Sequence, residues 1–123
     1  MSHILLLEDY ESLRKIYNET LKAEGYTVKL ASSGKEGLKL AQTDEFDLIL
    51  LDLLMPDMGG IDFLEAYDLK KHPGTKVIVL SNVYSPELLN QALVLGASQY
   101  LLKSDVTPKS LLEVVSQTLS VNK

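Results

Sequence analysis

The feature of this sequence that most constrains its fold is a regular alternation of two kinds of segment. Short apolar runs such as Ile4 to Leu7 and Leu48 to Leu51 alternate with longer stretches in which apolar residues recur every three or four positions. This rhythm predicts five strands and five helices. Strict strand-helix alternation predicts an α/β fold with a doubly wound parallel sheet, right-handed crossovers and helices on both faces.

Turn and cap residues predict where the elements begin and end. Gly25 is expected to end a first helix that runs from about Tyr10 to Glu24. Ser33, with Glu36 three positions later, predicts a capping box at the second helix. The other predicted boundaries are strands from Thr27 to Ala31, Lys76 to Leu80 and Tyr100 to Leu102, a helix from Gly59 and Gly60 to a break at Lys70 to Gly74, and helix starts at Ser85-Pro86 and Thr107-Pro108.

Length and charge limit the class of protein. With 123 residues, of which 46% are hydrophobic, the chain is expected to form a single domain over residues 1–123. It has no cysteine, no leader-like segment and no apolar run long enough for a membrane span, so a cytoplasmic protein is expected. The net charge of -5 argues against direct nucleic-acid binding.

Polar residues follow the predicted strands at the points where each strand ends. Glu8 and Asp9 follow the first strand, Asp52 ends the third, Ser81 follows the fourth and Lys103 follows the fifth. In a doubly wound sheet, ligands bind at the carboxyl ends of the strands, so these groups are expected to converge on one cleft. Neighbouring carboxylates repel each other unless a hard cation is bound, and an oxygen-only set suits Mg²⁺. The cleft is therefore predicted to handle phosphate.

Taken singly, each of these residues has a simpler interpretation. Acids after a strand often cap a helix, a serine is a routine turn residue, and a lysine at a strand end is usually solvated. The joint occurrence at the ends of the strands is what favours a site. His3 and His72 have no second ligand or nucleophile at a suitable spacing, so both are expected to be solvated bystanders.

Four motifs in this order and spacing resemble one known family, the receiver domains of two-component response regulators. They are Leu5 to Asp9, Asp52 to Pro56 followed by Met58 to Gly60, Val79 to Ser81, and Gly96-Ala97 before Tyr100 to Lys103. The resemblance covers essentially the whole chain. It implies a flavodoxin-like receiver fold with five parallel strands in the order 2-1-3-4-5.

By the same resemblance, Asp52 is the nucleophile that becomes an aspartyl phosphate. Asp9, Asp52 and the backbone carbonyl of Leu54 are implied to hold Mg²⁺, with Glu8, where the family often has a second aspartate, acting through water. Lys103 would pair with a phosphoryl oxygen. A carboxylate can attack phosphorus in line once a cation screens the charge on both partners, so the chemistry agrees with these roles.

The resemblance also implies a switch. The Ser81 hydroxyl would move toward the phosphoryl group, and Tyr100 would turn inward behind it. The implied output surface comprises the helix from Pro86 to about Leu95, Tyr100, and the helix from Pro108 to about Leu119. A histidine kinase or phosphotransfer protein is the expected phosphodonor, and a phosphorylation-dependent dimer is a further expectation.

Some positions depart from the usual pattern of the family. Lys103 is followed by Ser104, where most receivers have proline in a cis peptide bond; a cis bond to serine would cost about 2.5–4 kcal/mol, so this loop is expected to be trans or strained. Asn82 stands where a small residue is more usual and is expected to narrow access to the phosphoryl group. Leu54 and Val83, the expected phosphoryl-flanking residues, are apolar, which predicts slow loss of phosphate.

Three other functions stay open from the sequence. The chain is interpreted first as a phosphorylation switch, not a turnover enzyme, which promotes its own phosphorylation and slow dephosphorylation. One alternative is the receiver half of a longer helix-turn-helix DNA-binding regulator. A second is an aspartyl-phosphate hydrolase, which would need a general acid and a cap. A third is a scaffold that takes no phosphate.

Overall fold

The structure is a computed structural model that describes residues 2–120. Strands and helices alternate along this part of the chain: β1 (His3–Leu7), α1 (Glu11–Ala23), β2 (Thr27–Ala31), α2 (Gly34–Thr43), β3 (Leu48–Asp52), α3 (Gly60–Tyr67), β4 (Lys76–Ser81), α4 (Pro86–Val94), β5 (Gln99–Leu102) and α5 (Pro108–Ser120). Short 3-10 turns lie at Leu69–Lys71 and Lys103–Asp105. All pairings are parallel, and the strand order is β2-β1-β3-β4-β5. The predicted fold class and strand order are confirmed.

Alternate residues of the central strands point to opposite faces of the sheet, and both faces are covered. Leu5, Ile49 and Val77 pack in one layer with residues of α2, α3 and α4. Ile4 and Leu48 pack in the other layer with residues of α1 and α5. Every residue of β3 is buried, as the continuous apolar run predicted. The helices therefore leave the carboxyl ends of the strands as the place where polar groups can gather.

The predicted element boundaries agree with the structure to within a residue or two, except at the end of α3. That helix ends at Tyr67, earlier than the expected break at Lys70 to Gly74. Asp68 follows with φ 59°, in the left-handed region, which cannot continue a helix. Gly25, with φ 93°, follows α1 in the conformation that the sequence predicted.

The capping box at α2 forms only in part. Ser33 accepts a hydrogen bond from the Glu36 backbone N–H at 3.2 Å, as predicted. The Glu36 carboxylate, however, accepts from the backbone N–H of Ser32 at 2.7 Å, one residue before the cap. The expected reciprocal bond to Ser33 is therefore replaced by one that ties down the preceding turn.

The two histidines are not solvated bystanders, and that prediction was wrong. The His3 ring packs against Phe46 with ring centroids 4.5 Å apart. The His72 ring stacks on Tyr67 at 4.0 Å, and its Nδ1 lies 3.3 Å from a Glu45 carboxylate oxygen. The contacts of His3 with Phe46 and of His72 with Glu45 join segments distant in sequence, so local spacing could not reveal them. They lie at the amino-terminal end of the sheet, away from the predicted site.

Candidate functional site

The parallel sheet brings the predicted polar residues to one edge. Asp52 is aligned with Leu80 of β4, and Ser81 is aligned with Leu102 of β5, directly before Lys103. Glu8 and Asp52 are 1% and 4% exposed, Ser81 is fully buried, and Lys103 is 9% exposed. Charged groups are rarely buried without partners, so the site must compensate them internally.

Lys103 supplies that compensation by bridging two carboxylates. Its Nζ lies 2.7 Å from Glu8 Oε1 and donates a hydrogen bond of 2.9 Å to Asp52 Oδ2. Burial raises the pKa of Asp52 to about 6, against the opposing effect of Lys103. Burial alone would lower the pKa of Lys103, but contact with the two carboxylates raises it on balance. Lys103 is thus held as a cation at the floor of the site.

The loop between β1 and α1 is fixed by contacts that the sequence did not predict. The backbone N–H of Tyr10 donates to Glu8 Oε2 at 3.1 Å. The Arg14 guanidinium, in the first turns of α1, donates from Nη1 to the backbone carbonyls of Glu8 at 2.9 Å and of Asp9 at 3.3 Å. These contacts depend on the path of the loop backbone, so periodicity and motif spacing carry no signal for them.

The acidic residues fit a hard divalent cation. One carboxylate oxygen from each of Glu8, Asp9 and Asp52 lies within 4.8 Å of the others. Glu8 and Asp52 are buried, whereas Asp9 is exposed and open to solvent. Three carboxylates facing one another with a single lysine leave excess negative charge, and oxygen ligands are those that Mg²⁺ prefers. Within residues 2–120, Asp9 is the acid most open to an ion, since the carboxylate oxygens of Glu8 and of Asp52 already have partners.

A cleft of about 410 Å³ opens above these groups. Its lining consists of Asp9, Tyr10, Leu13, Leu54, Asn82 and Lys103. Leu54 and Asn82 thus line the same cleft as Asp9 and Lys103, and their place beside a phosphoryl group stays a prediction. Val83, also predicted to flank the site, is 47% exposed but does not line the cleft.

The segment after Asp52 is anchored at both ends. The backbone N–H of Leu54 donates to Asp52 Oδ1 at 3.2 Å. Asp57, farther along, accepts from the backbone N–H of Gly34 at 3.0 Å, which ties the segment to the start of α2. Gly60 lies so close to the segment that a Cβ there would meet the Asp52 carbonyl oxygen at 2.9 Å. The absence of a side chain at Gly60 thus permits close packing behind the acidic cluster.

The two predicted switch residues contact the same backbone group. Ser81 Oγ donates to the Val83 carbonyl at 3.0 Å and accepts from the Val83 N–H at 3.2 Å. The Tyr100 hydroxyl donates to the same carbonyl at 2.9 Å. Ser81 and Tyr100 are therefore linked through one peptide unit of the loop after β4.

Lys103 reaches the site without a cis peptide bond. Within residues 2–120 all peptide bonds are trans, including the one between Lys103 and Ser104. The backbone turns there as a 3-10 turn over Lys103–Asp105. The trans alternative expected from the sequence is the one observed.

Tyr17 is a further residue near the site that the sequence did not single out. It is 3% exposed and packs in the layer between the sheet and helices α1 and α5. Burial raises the pKa of Tyr17, and the negative charge of Glu8 raises it further. Its proximity to the charged site follows from the packing of α1 on the sheet, which the sequence pattern does not show.

Fold and site together define a class of protein: a doubly wound α/β domain with an acidic cluster, a hydroxyl and a lysine at the carboxyl ends of its strands. Residues 4–116 match the model of the family described as the response regulator receiver domain. The chain therefore belongs to that family.

Individual relatives agree with this assignment. The cell cycle transcriptional regulator CtrA of Caulobacter vibrioides is 35% identical over 100 residues, which are 81% of this chain and 43% of that protein. A CheY-like receiver domain from Methanospirillum hungatei superimposes with a TM-score of 0.93 at 33% identity, covering 99% of this chain and 96% of that one.

A response regulator from Burkholderia pseudomallei, with a phosphorylated aspartic acid and a calcium ion in its structure, has a TM-score of 0.85 at 27% identity, covering 98% of this chain and 69% of that one. The chain spans about two fifths of the length of the curated relatives it matches. None of the helices in residues 2–120 is long and apolar enough to cross a membrane.

Proposed function

We propose that the chain is a phosphorylation switch in which Asp52 accepts a phosphoryl group. The observation that carries this proposal is the buried Asp52 carboxylate, paired with Lys103 at 2.9 Å and clustered with Glu8 and Asp9, beside a cleft that Asp9 and Lys103 line. The Burkholderia pseudomallei relative, which carries a phosphorylated aspartic acid and a calcium ion, supports the same chemistry here.

Asp9, Asp52 and the carbonyl of Leu54 would hold Mg²⁺, with Glu8 acting indirectly. When bound, the ion would reduce the repulsion between the Asp52 carboxylate and the phosphoryl oxygens. Asp52 attacks phosphorus in line, and the bond to the leaving group breaks with its electron pair on the leaving atom. Lys103, released from Asp52 but still paired with Glu8, then pairs with a phosphoryl oxygen.

The phosphoryl group carries about two negative charges in place of the single charge of the Asp52 carboxylate, and it attracts the Ser81 hydroxyl. When Ser81 turns toward it, its bond to the Val83 carbonyl is lost, while Tyr100 retains its own bond to that carbonyl. The conformational equilibrium of the loop after β4 then shifts toward the arrangement in which Tyr100, without Ser81, bonds to the Val83 carbonyl. This links the chemistry at Asp52 to the surface formed by α4, β5 and α5.

A histidine kinase or phosphotransfer protein is the proposed phosphodonor, and a downstream protein is the proposed reader. A groove of about 350 Å³ between α4, β5 and α5 supports an output surface there, and Tyr84, Leu89, Tyr100 and Val106 are among its lining residues. We propose that residues 1–123 work as one receiver domain that changes state and does not turn over a substrate.

A second candidate function follows from the length comparison. The chain spans 43% of CtrA, which is described as a transcriptional regulator, so residues 1–123 would be the receiver part of a longer regulator of that kind. Peptide coverage of the native protein by mass spectrometry distinguishes a stand-alone receiver domain from the receiver part of a longer regulator. Peptides beyond residue 123 would support the longer regulator.

The experiment that tests the proposal is intact-mass measurement after incubation with phosphoramidate or acetyl phosphate. The expected result is one phosphoryl group per chain, formed only with Mg²⁺, and none on Asp52→Asn. Asp47→Asn is the matched control, since Asp47 directly precedes β3 at its opposite end and, within residues 2–120, its side chain bonds only to the His3 backbone N–H. Modification of Asp52→Asn at the wild-type rate would refute the assignment.

A further inference from the structure

Arg14 lies in the first turns of α1 and makes contacts that the proposed chemistry does not use directly. Its guanidinium is partly buried, and Nη1 donates to two consecutive carbonyls, those of Glu8 at 2.9 Å and Asp9 at 3.3 Å. Within residues 2–120, the guanidinium donates only to main-chain atoms of these two acidic residues, so it influences where they lie.

Asp9 needs such support more than its neighbours do. Among residues 2–120, no hydrogen bond or ion pair holds the Asp9 carboxylate, which is exposed. Glu8 is different, because Lys103 and the Tyr10 N–H hold its two oxygens. The position of the Asp9 carboxylate therefore depends on the backbone of the loop, and Arg14 is the side chain that fastens that backbone to α1.

We infer that Arg14 is a positioning residue for the divalent cation, acting through the main chain of Glu8 and Asp9. This inference rests on the proposed function and names a residue that tunes its metal affinity. Residues that orient metal ligands without touching the metal typically change metal affinity by about 10- to 100-fold when removed.

The charge of Arg14 and its positioning role predict opposite effects on Mg²⁺ affinity when the side chain is replaced. A cation beside an acidic cluster repels Mg²⁺, so loss of its charge alone would tighten Mg²⁺ binding. Loss of the hydrogen bonds from Arg14 to the loop backbone would instead let the Asp9 carboxylate move, and Mg²⁺ binding would weaken. The sign of the change therefore separates the two roles.

The test is calorimetric titration of MgCl₂ into wild type, Arg14→Met and Lys15→Met at fixed ionic strength. Methionine keeps the aliphatic stem and removes the donors. Lys15 is the matched control, because it is exposed on the same helix and makes no ion pair or side-chain hydrogen bond within residues 2–120. We expect about 10-fold weaker binding for Arg14→Met. Lys15→Met should bind unchanged or up to about twofold more tightly.

A second measurement, the rate of phosphorylation, distinguishes a positioning role of Arg14 from a general loss of function in the variant. At saturating Mg²⁺, Arg14→Met should accept a phosphoryl group from phosphoramidate at the wild-type maximal rate, with only the half-saturating Mg²⁺ concentration raised. Mg²⁺ affinity equal to or tighter than wild type would overturn the role of Arg14. A lowered maximal rate with unchanged affinity would overturn it too.

The outcomes also separate this inference from the proposed function. Absence of both Mg²⁺ binding and phosphorylation in the wild type would refute the proposed function itself. Normal wild-type behaviour with an Arg14→Met variant that matches it would refute only the role of Arg14. If Arg14→Met does not melt cooperatively, Arg14→Gln is measured in its place with the same expectation.

Discussion

At the scale of single residues, Glu8 differs from the exposed Asp9 of the same cluster, because both of its carboxylate oxygens have partners. One carboxylate oxygen is paired with Lys103, and the other accepts the Tyr10 N–H. Buried charges are costly unless they are paired and hydrogen-bonded, and Glu8 is both. Glu8 therefore fixes Lys103 in the site, while Asp9 faces the cleft and solvent.

The first prediction at this scale concerns the lifetime of the phosphorylated state. Loss of phosphate needs a water placed in line behind phosphorus, and the apolar side chain of Leu54 cannot orient one by hydrogen bonding. Leu54→Asn with Val83→Glu should therefore dephosphorylate about 10-fold faster than wild type. The measurement is the decay of Asp52 occupancy by intact mass at saturating Mg²⁺.

The single variants divide this effect between the two positions. Leu54 lines the cleft and Val83 does not, so Leu54→Asn alone should account for most of the acceleration. Decay that is unchanged or slower in the double variant would show that these side chains do not control the lifetime.

Sequence reasoning located the charged residues of the site but not the residues that hold them. Glu8, Asp52 and Lys103 were predictable because each follows a strand, and parallel strands end at a common edge. Arg14 and Tyr10 were missed because their contacts depend on the backbone path of a loop, which no periodic pattern specifies.

At the scale of elements, Asp57 joins the loop after β3 to helix α2. Its carboxylate accepts from the Gly34 N–H at 3.0 Å, so it satisfies a free donor at the helix start from another part of the chain. Slight desolvation raises the pKa of Asp57, but hydrogen bonds from Ser33 and the Gly34 backbone outweigh it and lower the pKa overall.

The second prediction follows from that lowered pKa. The folded state favours the charged carboxylate, so its stabilising effect is complete above the unfolded pKa of about 3.9 and is lost as pH falls through the folded value. Asp57→Asn should lower the melting temperature at pH 7, and the gap to wild type should close toward pH 3. Thermal melts of wild type and Asp57→Asn from pH 7 to pH 3 measure this difference in melting temperature.

Glu65→Gln is the control for this prediction, because Glu65 is exposed on α3 and makes no ion pair or side-chain hydrogen bond within residues 2–120. Its melting temperature should stay near that of wild type at both ends of the range. A gap for Asp57→Asn that stays constant from pH 7 to pH 3 would contradict the role of its charge.

Most elements were predictable because their ends carry strong local signals. Ser85 before Pro86 specified the start of α4, and Gly25 specified the end of α1. The end of α3 was missed because Asp68 adopts a left-handed conformation that glycine or asparagine would have signalled more clearly. The Glu45 partner of His72 was missed because it is a tertiary contact.

At the scale of the whole molecule, the repulsion among the acids at the edge of the sheet opposes folding. A cation that binds only the folded state stabilises it by mass action. The third prediction is that Mg²⁺ at ten times its dissociation constant adds about 1.4 kcal/mol to the free energy of unfolding. For a domain of this size, that raises the melting temperature by about 5 °C.

Thermal melts with and without Mg²⁺ measure this shift. Asp9→Ala should abolish most of it, whereas Glu65→Gln, which removes an acid far from the cleft, should keep it. An equal shift in wild type and Asp9→Ala would place the ion elsewhere.

The contact of Ser81 and Tyr100 with the Val83 carbonyl has a consequence for how such a protein can diversify. A main-chain oxygen is present whatever amino acid occupies position 83. Substitutions of that side chain would therefore leave the proposed coupling of Ser81 and Tyr100 through this carbonyl intact. The amino acid at position 83 could therefore differ between related proteins without loss of that backbone contact.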